Sequence, residues 1–358
     1  MSVLTIIILI FSVIGAIDRI FGNRLRLGNE FEKGFMLLGN MSLSMIGMIV
    51  ISPLIADLLA PVFGVIYDAL HIDPSIIPAS LFANDMGGAP LSVEVARNER
   101  IGLFNALVVS SMMGCTISFT IPFALGMVKK DQHRPLIFGL LCGVVTIPIG
   151  CFIAGLVSRL PIIDLIINLL PLFIFSGVIA AGLWFFPDAC VKIFGVFGFF
   201  IKALITVGLV LGIIGFLRGS PVLDNLATIE EGALVCLNAA IVMTGMFPLI
   251  SIVSRLLSKP INAIGRRIGI NQRSALGFVA SLATSMTTFG DMDNMDDKGV
   301  MLKSAFAVSA AFTFAGHLAF TMAFDASYLL PMIVGKLTAG FLALALAFLL
   351  YSKLVKKA

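Results

Sequence analysis

Charged residues are scarce in this chain. Lys, Arg, Asp and Glu together make up 12% of its 358 residues, whereas hydrophobic residues make up 59%. Soluble globular domains carry about 25% charged and about 45 to 50% apolar residues, so this composition excludes a soluble protein. The mean hydropathy of +1.08 agrees with that exclusion. The sequence predicts an all-α polytopic membrane protein, since a helix satisfies the backbone polar groups of an apolar segment internally.

The motifs of several soluble chemistries are also missing. The chain has no GxGxxG or GxxxxGK[ST] phosphate-binding loop, which argues against direct use of ATP. Its five cysteines form no CxxC, and only three histidines accompany them, so we expect packed, reduced thiols and no metal site. No stripe of basic residues alternates with aromatic residues, so no nucleic-acid partner is expected. We therefore expect neither a cofactor nor an enzymatic active site.

Long hydrophobic runs make up most of the chain. Nine of them could cross about 30 Å of hydrocarbon: residues 2–17, 35–60, 101–128, 136–158, 162–186, 193–217, 233–256, 301–324 and 328–350. We expect the first run to be retained, because its basic residues follow it and it lacks a small-residue cleavage site. Residues 61–73 and 260–271 are predicted to form separate interfacial helices.

Two further apolar segments are interrupted by polar residues or glycine. The first, IIPASLFANDMGGAP at 76–90, contains Asn84 and Asp85, and the second, ALGFVASLATSMTTFG at 275–290, contains several hydroxyl residues. Each is too short and too polar for a plain membrane span, and each precedes a charged loop and a long apolar run. This pattern predicts two broken, re-entrant helices.

The chain contains an internal repeat. Residues 31–48 match residues 229–246 without a gap at an offset of 198, and the match places Gly47 on Gly245. With small gaps it extends to Ala79-Ser80-Leu81 on Ala280-Ser281-Leu282 and to Phe119-Thr120 on Phe320-Thr321. The repeat predicts a first copy over 1–158, a connecting span over 159–195 and a second copy over 196–358.

The positions of Lys and Arg predict the orientation in the membrane. If the broken segments re-enter, 18 of the 24 basic residues lie on one side and four on the other, whereas full crossing divides them 13 to 9. The first arrangement places the N-terminus outside and the C-terminus in the cytoplasm. It also gives the two copies opposite orientations, an inverted repeat typical of secondary transporters that work by alternating access.

Asp85 is the leading candidate for a binding residue. A charged side chain inside the hydrocarbon costs about 2.5 to 3.5 kcal/mol on insertion scales and is functional by default, and an ammonium group is its natural partner. Asn84 adjoins it, while Gly87 and Gly88 could open the backbone so that carbonyls face a ligand. Alternatively, Asp85 caps the broken helix or pairs with a lysine of a neighbouring span, such as Lys336 or Lys202.

The other candidate binding residues are polar groups in apolar segments: Thr284, Ser285, Thr287 and Thr288 in the second broken segment, His317 in a predicted span, and Asn40 and Asn238 at equivalent positions of the repeat. The hydroxyls either bind a small hydroxylated ligand or satisfy the broken helix. The histidine is a proton relay, a ligand contact or an interhelical hydrogen bond. The asparagines line the same cavity or join helices.

Several motifs are similar to those of a known family. They are FEKGFMLLGNMSLSMIGM (31–48), NDMGG (84–88), VTIPIGC (145–151), AFAVSAAF (305–312) followed by GHLAF, and PMIVGKL (331–337). Over nearly its whole length the chain resembles the ethanolamine-utilisation membrane transporter family, EutH. It departs from the family pattern at Gly316, where an acidic residue is expected, and at Thr284 and Ser285, where paired asparagines are expected.

The resemblance implies import of ethanolamine across a bacterial inner membrane, feeding its breakdown to ammonia and acetaldehyde. An ammonium group like that of lysine stays protonated until about pH 10, so we expect Asp85 to bind it and the second broken segment to bind the hydroxyl. The expected partners are ethanolamine and the lipid bilayer, with a homo-oligomer left open.

Two alternatives to ethanolamine transport stay open at this point. One is a channel or secondary transporter for another small organic cation. The other is a membrane-embedded lipid-modifying enzyme that uses the acidic cluster of Asp291, Asp293, Asp296 and Asp297. The charge pattern favours a solvated loop for that cluster.

Overall fold

The computed structural model describes residues 3–284 and 289–354, except for the side chains of residues 40, 66, 191, 258 and 352–354. Helices account for most of the described chain. They are α1 (Val3–Ile20), α2 (Gly28–Leu70), α3 (Ile76–Leu81), α4 (Gly88–Val95), α5 (Glu99–Phe104), α6 (Ile121–Met127), α7 (His133–Val157), α8 (Ile162–Phe185), α9 (Pro187–Arg218), α10 (Ile229–Ile268), α11 (Gln272–Ala283), α12 (Asp297–Ala310), α13 (Gly316–Asp325) and α14 (Leu329–Leu354). Short 3-10 turns lie at Asn84–Met86, Lys130–Gln132, Met292–Asn294 and Ala326–Tyr328.

Eight helical segments of the described residues are long and apolar enough to cross a membrane. They are Val3–Ile20, Gly28–Leu70, Glu99–Met127, Lys130–Val157, Ile162–Phe185, Pro187–Arg218, Ile229–Leu257 and Gly316–Tyr351. The prediction of an all-α polytopic membrane protein is thereby confirmed.

The predicted span 301–324 is wrong as a single helix. Helix α12 ends at Ala310, and the chain runs through a short non-helical segment before α13 begins at Gly316. In that segment Phe312 N donates to Ser281 O at 3.1 Å and Phe314 N donates to Leu282 O at 3.0 Å. Hydrophobic composition does not separate a helix from another kind of buried segment, so the sequence did not reveal this break.

The two predicted interfacial helices are helical but are not separate elements, because each continues the preceding helix. Helix α2 runs on to Leu70 and α10 to Ile268, and each contains two prolines, Pro53 and Pro61 in α2 and Pro248 and Pro260 in α10. A proline removes one backbone hydrogen bond, but helices in membranes tolerate this loss when neighbouring helices support them.

The first broken segment is interrupted as predicted. Helix α3 ends at Leu81, the backbone of Phe82 is extended, and the turn Asn84–Met86 follows. Gly87 then takes φ +98°, a left-handed conformation, and α4 begins at Gly88. In the second broken segment α11 ends before Thr284, which is extended, and residues 285–288 lie outside the described part of the chain.

A buried helix runs beside the first broken segment. Between α5 and α6 the chain is π-helical over Asn105–Gly114 and Thr116–Thr120, so Glu99–Met127 forms one continuous rod. Ala83 N donates to Ser118 Oγ at 3.1 Å, and the π-helical stretch packs against α3. Wide turns of this kind often lie at functional sites.

The two copies of the repeat make equivalent helix–helix contacts with each other. Gly47 of α2 lies against the backbone of Ile205 in α9, and its repeat partner Gly245 of α10 lies against the backbone of Ile8 in α1. Helix α2 also packs along α10. Such reciprocity is what a two-fold relation between two copies requires. The opposite orientation of the copies and their boundaries at residues 158 and 196 remain predictions.

Candidate functional site

A cavity of about 220 Å³ lies where the first broken segment meets the π-helical stretch and the break between α12 and α13. The described residues that line it are Met41, Ser44, Ala83, Asp85, Met86, Cys115, Phe119, Phe312 and His317. Pockets for drug-sized ligands measure about 300 to 1,000 Å³, so this cavity is suited to a smaller molecule.

Asp85 supplies the only carboxylate among these lining residues. None of the ion pairs within 4.0 Å that join described residues includes it. The start of α13 closes one side of the carboxylate, since a Cβ on Gly316 would lie 3.6 Å from Asp85 Oδ2. The sequence alternative in which Asp85 forms a direct ion pair with Lys336 is therefore wrong. The arrangement provides a negative group for a cation that enters the cavity.

A second charged group lies behind His317. Lys336 of α14 is buried, and its Nζ donates to Ser111 O at 2.6 Å and lies 3.0 Å from His317 Nδ1. His317 therefore joins α13 to α14 through a hydrogen bond and also lines the cavity. The sequence left three roles open for His317. In this position two of them, an interhelical hydrogen bond and a contact to a ligand, can be fulfilled together.

Aromatic rings form another wall of the cavity. The rings of Phe119 and Phe312 meet edge to face with their centroids 5.7 Å apart, and Phe312 lies 5.3 Å from the His317 ring. Phe312 adopts φ +61°, a left-handed conformation that costs about 1 to 2 kcal/mol in a residue with a side chain. Such strain is concentrated at functional sites, and the faces of these rings attract cations.

Asn84 is fully buried next to Asp85 in the chain. Neither its side-chain oxygen nor its side-chain nitrogen has a hydrogen-bond partner among the described residues. An unsatisfied buried amide costs about 1 to 3 kcal/mol, so this residue has capacity for a polar contact. It is not among the described residues that line the cavity.

Gly87 and Gly88 shape the break without lining the cavity. The carbonyl of Gly87 accepts from Leu91 N at 3.2 Å, so α4 already uses the carbonyl that was expected to face a ligand. A Cβ at Gly87 would overlap the side chain of Met48, and one at Gly88 would overlap the carbonyl of Phe82. Both positions therefore require glycine for close packing.

The remaining predicted site residues are not found at the cavity in the described part of the chain. Thr284 ends α11 and is not among the described lining residues, and Asn238 is exposed on α10. Ser285, Thr287, Thr288 and the side chain of Asn40 lie outside the described part of the protein. The structure brings together Asp85 and His317 of the predicted set.

Sequence reasoning missed most of the cavity wall. Phe119 belongs to the repeat match with Phe320, which is a signal that could have identified it. Phe312 lies inside a run that the sequence predicted to be one helix, so no local pattern distinguished it. Cys115 was interpreted as a packed thiol; it is buried and free, and it also borders the cavity.

The acidic cluster on the loop before α12 has structural contacts. Asp293 forms an ion pair with Lys129 at 2.8 Å, and Asp291 lies 3.7 Å from Arg273. The Lys129 pKa is raised by its hydrogen bond to Asp293. Asp296 caps α12 and accepts a hydrogen bond from Ser274 Oγ at 3.0 Å. These contacts favour a structural role for the cluster.

Comparison with known proteins decides the family. The family described as ethanolamine utilisation protein, EutH, has a sequence model that matches residues 1–350. The chain belongs to the EutH family. Its resemblance to that family, inferred from the motifs, is thus confirmed.

Several known proteins match along nearly the whole chain. The probable ethanolamine permease EutH of Listeria monocytogenes is 41% identical over 356 residues, which cover 99% of this chain and 95% of that protein. The protein of the same name from Salmonella typhimurium is 35% identical over 390 residues, covering 98% and 96%. The uncharacterized protein YxeR of Bacillus subtilis is 35% identical over 337 residues, covering 94% and 91%. No solved structure matches the chain.

Proposed function

We propose that this protein transports ethanolamine across the bacterial cytoplasmic membrane, as a transporter and not an enzyme. The observation that carries the proposal is the small cavity that places the carboxylate of Asp85 beside two aromatic rings. Membership of the EutH family supports ethanolamine as the substrate, since relatives at 35% and 41% identity are named probable ethanolamine permeases.

The ammonium group of ethanolamine binds Asp85. A carboxylate and an ammonium form a charge-assisted hydrogen bond, which is about twice as strong as a neutral one. Phe119 and Phe312 add the attraction of their ring faces for a cation, about 0.5 to 2 kcal/mol. The cavity thus combines a negative group with apolar walls, as small-molecule sites do.

The hydroxyl group of ethanolamine binds polar groups beside the carboxylate. His317 lines the cavity, and Asn84 has unused donor and acceptor capacity among the described residues. A site built to hydrogen-bond a hydroxyl rejects an analogue that lacks it.

Transport proceeds by alternating access. The first broken segment, the π-helical stretch and the break before α13 meet at the cavity, and discontinuous helices of this kind bind substrates near the bilayer midplane in secondary transporters. The two copies are inverted, with the N-terminus outside and the C-terminus in the cytoplasm. Rocking of one half against the other opens the cavity to each side in turn.

The test is uptake of labelled ethanolamine into proteoliposomes that contain the purified protein. At mildly acidic pH we expect saturable uptake that excess unlabelled ethanolamine suppresses and ethylamine, which lacks the hydroxyl, suppresses poorly. Asp85→Asn is expected to reduce uptake at least tenfold, because a hydrogen bond to a charged group contributes about 1.5 to 3 kcal/mol.

The matched control is Asp68→Asn, the same substitution at an exposed position of α2. It is expected to leave uptake unchanged. Both variants must elute as the wild type does in size-exclusion chromatography. Equal uptake by Asp85→Asn and the wild type would contradict the proposed site. If vesicles with the wild-type protein took up ethanolamine no faster than protein-free vesicles, the proposed function would be contradicted.

A further inference from the structure

The cavity contains one negative charge and has a lysine immediately behind it. Asp85 is the only carboxylate among the described lining residues. Lys336 is buried and reaches the cavity through His317, whose Nδ1 lies 3.0 Å from Lys336 Nζ. His317 thus lies between the two groups, since it lines the cavity with Asp85 and contacts Lys336, and Asp85 and Lys336 form no ion pair within 4.0 Å.

A protonated substrate adds a second cation to this small space. Like charges in a medium of low dielectric constant repel strongly, and the single carboxylate of the described lining can balance only one of two ammonium groups. A buried lysine can lose its proton, because burial disfavours the charged form. The substrate and the proton on Lys336 therefore compete for the same negative charge.

We propose that Lys336 makes transport an exchange of one protonated substrate for one proton. This inference rests on the proposed function and concerns its coupling. When the substrate cation binds from outside, Lys336 releases H⁺ to the outer solution and becomes neutral. When the substrate leaves on the inner side, Lys336 takes up H⁺ from the cytoplasm and returns as the balancing cation. One substrate cation enters and one proton leaves, so no net charge crosses the membrane.

The two hydrogen-bond partners of Lys336 can bind both its protonated and its neutral form. Ser111 O is a carbonyl oxygen and accepts a hydrogen bond from either the ammonium or the amine. His317 Nδ1 accepts a hydrogen bond from the ammonium form when it is the unprotonated nitrogen of a neutral imidazole, and in the other tautomer it can donate to the neutral amine. His317 also lines the cavity, so it can pass a proton between Lys336 and the cavity.

The other titratable groups near Lys336 are few among the described residues. They are Cys151 on α7, Cys115 on the π-helical stretch and Asp85 on the first broken segment, and His317 of α13 contacts Lys336 directly. From α12, the buried Lys303 lies against Met295, with Nζ 3.6 Å from its sulfur. Asp85 is therefore the one carboxylate in this group.

The response to membrane potential distinguishes exchange from uniport. At about pH 6 a primary amine with the pKa of lysine is neutral in roughly one molecule in 10⁴, so passive entry is slow. With equal pH on both sides and a potassium diffusion potential of about 59 mV, inside negative, a uniported cation accumulates about tenfold. We expect the wild type to show saturable uptake without such accumulation, and to accumulate substrate when the vesicle interior is made acidic.

Two substitutions at Lys336 are expected to act in opposite ways. Lys336→Met removes the internal cation, so uptake should continue and respond to the potential with close to tenfold accumulation. Lys336→Arg retains a cation that cannot lose its proton, so uptake should fall at least tenfold. Lys303→Met is the matched control at the other buried lysine, and it should keep the wild-type insensitivity to potential.

The outcomes separate the coupling from the function. If the wild type shows saturable uptake and ethanolamine accumulates about tenfold at about 59 mV, the exchange is overturned, whereas ethanolamine transport is still supported. Potential-independent uptake by Lys336→Met, or potential-driven uptake by Lys303→Met, would overturn the role of Lys336. Absence of saturable uptake by the wild type would instead overturn the proposed function. Variant proteins are compared only when their size-exclusion profiles match that of the wild type.

Discussion

Asn105 and Asn168 exchange two side-chain hydrogen bonds inside the protein. Asn105 Nδ2 donates to Asn168 Oδ1 at 3.1 Å, and Asn168 Nδ2 donates to Asn105 Oδ1 at 2.8 Å. Asn105 Nδ2 also donates to Ser75 Oγ, which in turn donates to Asp73. This buried network joins α8 to the π-helical stretch and to the start of the first broken segment, and it holds elements that carry the cavity.

Loss of this amide pair should destabilise the protein. Asn168→Leu leaves Asn105 partly unsatisfied, and we expect the free energy of unfolding to fall by about 1 to 3 kcal/mol. Thermal unfolding in detergent, followed by size-exclusion chromatography, measures the change. The double variant with Asn105→Leu should cost less than the sum of the single variants. Strictly additive costs would contradict a direct interaction.

Close contact between α2 and α9 should depend on Gly47. A Cβ there would overlap the carbonyl of Ile205, so Gly47→Ala is expected to cost about 1 to 3 kcal/mol as overpacking does. Gly39 lies on the same helix and has no atom within 4 Å of its Cβ position. Gly39→Ala should therefore be neutral or stabilise by up to about 1 kcal/mol. Melting temperatures of the two variants test this prediction, and equal values would contradict the close contact between Gly47 and Ile205.

The ring of Phe119 should contribute to substrate affinity. Phe119→Leu keeps an apolar wall but removes the ring face, so we expect KM for ethanolamine to rise roughly 2- to 30-fold, from a cation–π contribution of about 0.5 to 2 kcal/mol. Phe123 stacks on Phe119 with centroids 5.1 Å apart and is not among the described lining residues. Phe123→Leu should therefore change KM less. Saturation curves of initial uptake measure both variants, and a larger effect at Phe123 would count against the assignment.

The orientation of the termini is open to a direct experiment. We expect a C-terminal green fluorescent protein fusion to fluoresce, since that domain folds in the cytoplasm, and a C-terminal alkaline phosphatase fusion to be inactive. A fusion of phosphatase after Arg159, between α7 and α8, serves as the outside control and should be active. The reverse pattern of activities would show that the basic residues were assigned to the wrong face.

Local patterns were enough to predict most of the membrane helices and the first break. The run 162–186 predicted α8 to within one residue of its observed end at Phe185, because the length and polarity of a span are properties of consecutive residues. Asp85 and Asn84 were identifiable for the same reason, since polar groups inside an apolar segment stand out without any partner. The broken segment around them was correctly predicted from its glycines.

Contacts between distant residues were beyond the reach of those patterns. The non-helical segment after α12 is held by hydrogen bonds that Phe312 and Phe314 donate to Ser281 and Leu282, about thirty residues earlier. Its apolar sequence is equally compatible with a helix. The cavity wall likewise combines Phe119 with Phe312, and Lys336 reaches His317 from another helix.

The sequence by itself determined that this is a helical membrane protein of the EutH family with a carboxylate inside an apolar segment. These features depend on composition, run length and short motifs, which need no knowledge of neighbours in space. Only the tertiary structure decided which groups surround Asp85 and that Lys336 lies behind His317. Hydrogen bonds and packing between helices far apart in the chain set those positions, because each side chain must satisfy its polar atoms with whatever the fold brings near it.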